Sequence, residues 1–301
     1  MKKSLLKTVA AAALSVFGIN LPASAHVTVA QNDDVIITTT ELGNGLYMLE
    51  GRGGNIGISV GPDGVFMIDD QFGNIADKIL AAVAEVTDQP VSYVLNTHWH
   101  GDHTGGNAAM AAEGATILSH DNVRKRLKQS LEVKGELETG ASSLPILTFS
   151  DTTTFFWNGH EIHVFHFPSA HTDGDALVHF RTANVMHLGD TLFAGLYPFI
   201  DLDSGGTVAG FIANLEAVAA LADDETKIIP GHGPLSDKLT VLSTIEMLKE
   251  AQAAVKTLAD QGLSEDEIVA ADPLAPRNEE YSWQFINGER MTRTLVRDLT
   301  N

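Results

Sequence analysis

The sequence predicts an α+β protein, a single domain in which two β-sheets pack face to face with helices outside. Three observations carry this prediction. Short strand patterns occur in two sets, helical periodicity follows each set, and no linker rich in Pro, Gly or Ser divides the chain. In each half of the chain, strands are followed by helices. This order favours a four-layer αββα sandwich, because each sheet buries one face on the other sheet and its second face under helices.

Four short strands open the first half. They are rich in β-branched and apolar residues, and the separators are Gly-Asn-Gly, a Gly-rich loop and Gly-Pro-Asp-Gly. Such separators are typical of turns between strands. The predicted strands cover residues 35–40, 46–49, 55–60 and 65–68.

A helix and a buried strand follow. Apolar residues spaced at i, i+4, i+8 and i+11 predict a helix over residues 74–87. The nearly continuous apolar run at 91–95 is typical of a strand that is buried on both faces. An Ala-rich stretch from Thr104 to Ala112 predicts one further helix.

The second half repeats this order with a different sequence. Its apolar runs predict strands at residues 153–157, 161–167, 176–181, 185–188 and 227–229, and its periodicity predicts helices at 207–222 and 238–260. The core of the domain is expected at about 34–235, with a helical extension over 236–301. The mixed tail from Ser264 onward is expected to pack on the outside.

The first 25 residues have the pattern of a secretory signal peptide. Three lysines precede an apolar run, Val9 to Ile19, that is too short to cross a bilayer as a helix. Ala23-Ser24-Ala25 then matches the small-x-small cleavage pattern. We therefore expect a leader at 1–25 and a mature periplasmic domain at 26–301. An ordinary N-terminal helix is the alternative.

Charge and cysteine content narrow the chemistry. The formal net charge of −20 repels phosphate backbones and anionic headgroups, so neither nucleic acid nor a membrane is an expected partner. A small-molecule substrate is expected, and the oligomeric state is open. The chain contains no cysteine, so any metal must be bound by His, Asp or Glu and no thiolate can act as nucleophile.

Three of the twelve histidines lie within six residues, in His98-Trp99-His100-Gly101-Asp102-His103. The cluster follows a predicted buried strand and therefore lies on a loop at its C-terminal end. In extended backbone, His98 and His100 project to the same side and can reach one metal ion. Asp102 and His103 can turn toward a second ion, and both residue types are suitable zinc ligands.

Three later residues occupy similar positions at strand ends. His171 follows the predicted strand 161–167, and Asp190 and His232 follow two others. Taken singly, Asp190 is either a turn cap or a ligand, and the histidines are equally ambiguous. Their shared position favours a common site, because functional residues in α/β arrangements gather at the C-terminal ends of strands.

Together these residues resemble the metallo-β-lactamase superfamily. The resemblance covers roughly residues 34–235 and extends to the sequence around the ligands: Asn96-Thr97, Thr104-Gly105-Gly106-Asn107, Gly189-Asp190 and Pro230-Gly231-His232-Gly233. It implies two zinc ions per chain. One would be bound by His98, His100 and His171, and the other by Asp102, His103 and His232. The ligand types alone also suit iron or manganese.

One position departs from many β-lactamases of this superfamily. Asp190 resembles the carboxylate that bridges both metals in enzymes of the glyoxalase II type, where many lactamases have Cys or Ser. The family pattern implies attack by a zinc-bound hydroxide on a carbonyl carbon, with Asp102 orienting the nucleophile as the catalytic residue. The protein is therefore expected to be an exported, metal-dependent hydrolase.

Three functions are compatible with this site. The export pattern and the lactamase-like loop favour a periplasmic β-lactamase with a role in antibiotic resistance. Asp190 favours the alternative, hydrolysis of a thioester, lactone or other ester. A zinc-binding protein without activity is the third possibility, against which the full ligand set argues.

Several other polar residues are possible supports of the site. His166 and His187 are the remaining histidines that we expect nearest to it. Asp69 or Asp70 resembles the buried acid that often supports the metal loop in this superfamily, and capping at the end of the strand is the alternative role. The Gly-rich stretch 51–55 predicts either a flap over the site or an ordinary hairpin loop. Its Arg52 is one of few nearby cations that could meet a substrate carboxylate.

Overall fold

The computed structural model describes residues 34–300, so the expected leader lies outside the described part of the chain. The first sheet has seven strands in sequence order. The first four strands pair antiparallel with their neighbours. The fourth to the seventh strands pair parallel with one another. Its strands are β1 (Thr38–Gly43), β2 (Leu46–Glu50), β3 (Ile56–Gly61), β4 (Gly64–Ile68), β5 (Val91–Asn96), β6 (Thr116–His120) and β7 (Leu147–Phe149).

The second sheet has five strands in the order β12-β11-β10-β9-β8. Only β11 and β12 pair parallel, whereas the other pairs are antiparallel. Its strands are β8 (Thr152–Trp157), β9 (His160–His166), β10 (Ala176–Phe180), β11 (Val185–His187) and β12 (Lys227–Ile229).

A continuous apolar layer joins the two sheets. Phe66 and Leu95 of the first sheet pack with Val164, Val178 and Ile229 of the second, and none of these five side chains is exposed. Burial of such side chains on both inner faces is what drives two sheets to pack together. The predicted α+β sandwich is therefore confirmed.

Helices cover the outer face of each sheet. On the first sheet, α1 (Ala76–Val86) presents Ile79 and Val83 to an apolar cluster that includes Val94. On the second sheet, α6 (Val208–Leu221) and α7 (Lys238–Asp260) pack against Met186 and Ile228. The tail forms α8 (Glu265–Ala270), α9 (Ala275–Tyr281) and α10 (Gly288–Thr300), which join the same cluster.

The stretch between the two halves contains elements that the apolar patterns did not predict. Strands β6 and β7 flank α4 (Asp121–Lys134) and α5 (Leu137–Gly140). Helix α4 is mostly polar and buries only Val123, so its sequence has little apolar periodicity. Gly135, which ends this helix, has a φ of 70°, a left-handed conformation that glycine adopts without steric cost.

Two boundaries differ from the prediction. Strand β1 covers Thr38–Gly43, three residues later than predicted. The predicted helix at 104–112 is divided into α2 (Gly101–Thr104) and α3 (Asn107–Ala112). Gly106 lies between them because the backbone packs closely there: a Cβ atom at this position would lie 2.5 Å from the carbonyl oxygen of Asp70.

None of the helices in the described residues 34–300 is long and apolar enough to span a membrane.

Candidate metal centre

The loops that follow four strands meet at one end of the sandwich. Strands β4 and β5 run parallel, as do β11 and β12, so the C-terminal ends of each pair lie at the same edge of a sheet. The loops after β5, β11 and β12 contain His98, Asp190 and His232, and the loop between β9 and β10 contains His171. The fold therefore brings together residues that are up to 134 positions apart in the sequence.

All seven predicted ligands lie in this cluster, where they form two groups. Within each group the potential ligand atoms lie within 4.8 Å of one another. The segment around His98 is bent rather than extended, yet the rings of His98 and His100 are 4.8 Å apart. The first group is His98, His100, His171 and Asp190, and the second is Asp102, His103 and His232.

Asp190 lies between the two groups. Its Oδ2 atom is 3.7 Å from Nε2 of His98 and 3.6 Å from Nε2 of His171. Its Oδ1 atom is 3.0 Å from Nε2 of His103 and 3.4 Å from Nε2 of His232. Each carboxylate oxygen thus faces a different group, which is the arrangement a bridging ligand requires.

The outer ring nitrogens of four histidines are held by hydrogen bonds. Nδ1 of His103 donates to Asp69, Nε2 of His100 donates to Asp201, and Nδ1 of His171 donates to the carbonyl oxygen of Phe199, at distances of 2.7, 3.0 and 2.7 Å. Because an acceptor holds a proton on the outer nitrogen, the other nitrogen of each ring faces the cluster and is the one available to a metal.

Thr97 orients the fourth of these histidines. Its hydroxyl donates to Oδ2 of Asp69 at 2.7 Å, and the same oxygen lies 3.0 Å from Nδ1 of His98. The hydroxyl proton is therefore directed at Asp69, and the Thr97 oxygen accepts from Nδ1 of His98. Nε2 of His98 is left with a lone pair directed at Asp190.

The inner face of the cluster fits a metal ion. Nε2 of His98, Nε2 of His103 and Oδ1 of Asp190 are buried and have no hydrogen-bond partner among the described residues. Buried polar atoms without partners are rare and costly. The three atoms are good zinc donors, so metal ions bound at the two groups would satisfy all of them.

Two glycines leave room for the ligands. A Cβ atom on Gly231 would lie 2.1 Å from Oδ1 of Asp190, and one on Gly54 would lie 2.0 Å from the ring of His103. A side chain at either position would displace a predicted ligand.

The protonation states of the first group suit metal binding. Burial lowers the pKa of His171 to about 4 and lowers the pKa of His98 well below its usual value. Both imidazoles are therefore neutral at pH 7 and able to donate a lone pair. Burial alone would raise the pKa of Asp190, but His103 and His232 hold it well below the usual value, so this carboxylate is ionised.

The second group shows a local excess of negative charge. Burial opposes protonation of His232, yet Asp190 and Asp102 raise the pKa of this histidine to about 9. The pKa of His103 is also raised well above its usual value, against the effect of burial, by Asp190 and Asp69. The carboxylates attract positive charge to this position, and a divalent cation would supply it in place of protons.

A loop that joins β2 to β3 lies against the cluster. The Gln71 side chain accepts from the backbone amides of Arg52 and Gly53 and donates to the carbonyl oxygen of Gly54. The Asn55 side chain donates to the carbonyl oxygens of Pro230 and Gly233, which flank His232. These contacts fix the predicted flap-or-hairpin loop at both ends and tie it to the ligand loops.

The cluster opens into a cavity of about 480 Å³, a volume typical of small-molecule sites. Arg52 is one of its lining residues. Aromatic side chains form much of the remaining wall: Phe72, Phe193, Phe199, Trp283 and Phe285.

The family model that describes the sequences of the metallo-β-lactamase superfamily matches residues 49–232, more than half of the chain. The chain belongs to this superfamily. The matched stretch contains all seven predicted ligands, and the superfamily consists of metal-dependent hydrolases that typically bind zinc.

Curated relatives within the superfamily are named for thioester hydrolysis. The chain is 28% identical over 197 residues to hydroxyacylglutathione hydrolase of Polaromonas sp., covering 60% of this chain and 68% of the relative. It is 28% identical over 172 residues to the enzyme of that name from Anaeromyxobacter dehalogenans, covering 56% of this chain and 58% of the relative. These names favour the ester-hydrolase alternative over the β-lactamase expectation.

Solved structures of the superfamily share the fold. A sec-alkylsulfatase from Pseudomonas sp. aligns with a TM-score of 0.67 and 15% identity, over 87% of this chain and 50% of that one. A metallo-β-lactamase from Pontibacter korlensis aligns with a TM-score of 0.59 and 17% identity, over 71% of this chain and 99% of that one. At these identities the likeness establishes the fold only.

Within this superfamily fold, Asp69 is the acid that supports the ligand loop, through His103 and Thr97. Asp70 instead accepts from the backbone amide of Gly106. Nε2 of His187 lies 3.1 Å from the carbonyl oxygen of Asn55, whose side chain binds the loop around His232.

His166 lies away from the ligands and stacks on His120, with ring centroids 3.7 Å apart. Its Nδ1 atom lies 2.8 Å from the carbonyl oxygen of Asp175.

No sequence pattern indicated two contacts of the site. Asp201 and Phe199, which hold the outer nitrogens of His100 and His171, lie in a loop without regular structure next to a short 3-10 turn at Leu202–Ser204. Asp201 caps this turn through Ser204, and an Asp-x-x-Ser cap is all that its local sequence indicates. Its contact with His100 spans 101 residues and follows only from the fold.

Proposed function

We propose that this protein hydrolyses carboxylic thioesters, or closely related esters, at a site that binds two zinc ions. The observation that carries the proposal is the position of Asp190, whose two oxygens face the two ligand groups. The names of the curated relatives support the same class of substrate.

The ligands would be divided between the metals as the two groups are. His98, His100 and His171 would bind one zinc, Asp102, His103 and His232 the other, and Asp190 both. Zinc at such a site acidifies water and polarises a carbonyl oxygen.

The cavity wall favours a leaving group that departs as an anion. Within the described residues, the titratable side chains that line the cavity, apart from Arg52, are His100, Asp102, Asp190 and His232. All four belong to the ligand groups, so no free side chain on the wall is available to protonate a departing nitrogen. A thiol has a pKa of about 8.5 and can leave as thiolate, whereas an amide nitrogen needs a proton.

In the proposed reaction, Asp102 would orient the attacking water. Its carboxylate lines the cavity, and Oδ2 lies 3.3 Å from Nε2 of His232. Burial would raise the pKa of Asp102, but His103 and His232 lower it below the usual value, so the carboxylate is ionised and accepts hydrogen bonds at neutral pH.

The test is a substrate panel with purified, zinc-loaded protein. The panel contains acyl thioesters, a lactone and the β-lactam nitrocefin. We expect thioester turnover that Asp190→Asn lowers at least 100-fold and that His179→Ala, on the outer face of β10, leaves unchanged. Turnover of nitrocefin alone would restore the β-lactamase expectation, and stoichiometric zinc binding without turnover of any panel member would indicate a protein without this activity.

We also propose that the protein acts outside the cytoplasm after removal of residues 1–25. The support is the pattern of three lysines, a short apolar run and Ala23-Ser24-Ala25. Glutathione is mainly cytosolic, so a glutathione thioester is not the substrate that we favour for an exported protein. N-terminal sequencing of protein from the periplasmic fraction should begin at His26, and an intact Met1 would contradict this proposal.

A further inference from the structure

Part of the cavity wall is built by a segment outside the superfamily match. Trp283 and Phe285 lie between α9 and α10, beyond residue 232, where the match ends. Trp283 lies 6.0 Å from Phe193, and Phe285 lies 5.3 Å from Phe199, measured between ring centroids. The C-terminal extension thus adds two aromatic rings to two that belong to the matched part.

These rings form one continuous surface that reaches the ligands at both ends. The ring of Phe193 stacks on His232 at 5.2 Å with an interplanar angle of 17°. At the other end, Phe199 lies 5.7 Å from the ring of His100. Trp283 and Phe285, 5.6 Å apart, connect the two ends. We name Phe193, Phe199, Trp283 and Phe285 the aromatic wall.

The aromatic wall is held in place before any ligand binds. Nε1 of Trp283 donates to the carbonyl oxygen of Tyr197 at 2.9 Å. The Arg290 guanidinium lies 4.1 Å from the centroid of the Phe285 ring and donates to the carbonyl oxygen of the same residue at 2.9 Å. Phe285 nevertheless remains 44% exposed, so part of its apolar ring is available for a ligand to cover.

Arg52 gives the cavity a cation that forms no ion pair with the described residues. Of the eight arginines, all of which lie in the described residues, five form ion pairs with Asp or Glu. Arg52, Arg124 and Arg290 form none in the described part of the chain, and the latter two donate to carbonyl oxygens. The Arg52 guanidinium lies over the ring of Phe72, 5.8 Å from its centroid. In a chain of net charge −20, such an arginine is a specific position for an anionic group.

We infer that the substrate is a thioester with an aromatic or bulky apolar acyl group and a carboxylate on its thiol part. The acyl group packs on the aromatic wall and the carboxylate pairs with Arg52, which places the carbonyl carbon between them, over the ligand groups. This inference rests on the proposed thioester hydrolysis and adds the substrate class. Phe285, Trp283 and Arg52 are then the residues that determine specificity.

The experiment crosses two acyl groups with two thiols. Acetyl and phenylacetyl thioesters of 3-mercaptopropionate and of its neutral amide give four substrates. We expect kcat/KM to be about 10-fold or more higher for phenylacetyl than for acetyl, since burying a large apolar group contributes this much. Phe285→Ala should reduce this ratio, and Arg52→Gln should reduce the ratio between charged and neutral thiols about 5-fold and remove its dependence on salt.

Two matched variants serve as controls. Phe156→Ala removes an equally large ring that is 78% exposed on β8, and Arg181→Gln removes an arginine that pairs with Glu161. Both should leave all four rates unchanged. If Phe285→Ala and Arg52→Gln change the four rates no more than these controls do, the inference is wrong.

A binding measurement separates this inference from the proposed function. N-phenylacetyl-β-alanine has the same two ends joined by an amide, and its affinity for the zinc-loaded protein is measured by calorimetry. If none of the thioesters is hydrolysed but Phe285→Ala and Arg52→Gln each weaken binding of this analogue, the proposed reaction fails while the ligand class stands. Absence of both binding and turnover would overturn the inference.

Discussion

Oδ2 of Asp69 lies 2.7 Å from Nδ1 of His103, and neither side chain is exposed. The same carboxylate accepts from the backbone amide and the hydroxyl of Thr97, which in turn holds His98. One buried acid therefore orients a histidine in each of the two ligand groups.

Removing the charge of Asp69 should weaken metal binding without unfolding the loop. Asp69 has a φ of 61°, which Asn also adopts readily, so Asp69→Asn keeps the backbone. We expect about 10-fold to 100-fold weaker zinc affinity, as is typical when a partner of a ligating histidine is lost. Competition with a chromophoric chelator measures the affinity, and Asp88→Asn, at an exposed site, is the control. Equal affinities for both variants would contradict the role of Asp69.

Removal of metal should lower thermal stability. Without a cation, the buried carboxylates are balanced only by protonated imidazoles, whose burial is costly. At free zinc 100-fold above Kd, binding to the native state contributes about 2.7 kcal/mol, which corresponds to a change in Tm of roughly 5–10 °C for a chain of this size. Calorimetry with and without a chelator measures the change, and zinc should reverse it. A Tm that does not respond to the chelator would argue against structural coupling of the metal.

Truncation of Phe66 tests the layer between the sheets. Phe66 is fully buried, and its ring centroid lies 5.2 Å from that of Phe155 in the opposite sheet. We expect Phe66→Ala to lower the free energy of unfolding by about 3–5 kcal/mol, because it removes apolar contacts and leaves a cavity. Phe156→Ala, at a position that is 78% exposed, should change it by less than about 0.5 kcal/mol. Urea titrations that give equal losses would contradict this assignment of the core.

His120 should make stability depend on pH. Its Nδ1 accepts from the amide of Asn122 and caps α4, while Nε2 donates to the carbonyl oxygen of Ser150, so the folded chain requires the neutral ring. Burial and then the stacked His166 lower the pKa of His120 below its usual 6.5. The unfolded chain takes up the proton first as pH falls, so the stabilisation is present above pH 6.5 and decreases below it.

His120→Asn keeps a good capping side chain and removes the titrating group. We expect its unfolding free energy to fall less between pH 7 and pH 5 than that of the wild type. Denaturant titrations at the two pH values measure the difference, and parallel losses in both proteins would show that His120 does not titrate in this range.

Local patterns were sufficient for much of the fold and of the site. Turn residues and apolar alternation located β2 to β5 within one or two residues, because each strand carries its own period and its own turns. The same patterns missed α4, whose polar sequence buries a single valine, and predicted one helix where the structure has α2 and α3. There the close approach of Gly106 to Asp70 decides the geometry, and no local period encodes it.

From the sequence alone, the cluster His98 to His103, the shared position of His171, Asp190 and His232 at strand ends, and the superfamily resemblance predicted which residues gather at the candidate centre. Only the tertiary structure decided what surrounds them. The contact of Asp201 with His100 and that of Trp283 with Phe193 span 101 and 90 residues. Such contacts depend on how loops from two sheets and a C-terminal extension pack together, and this packing determines which substrate the cavity fits.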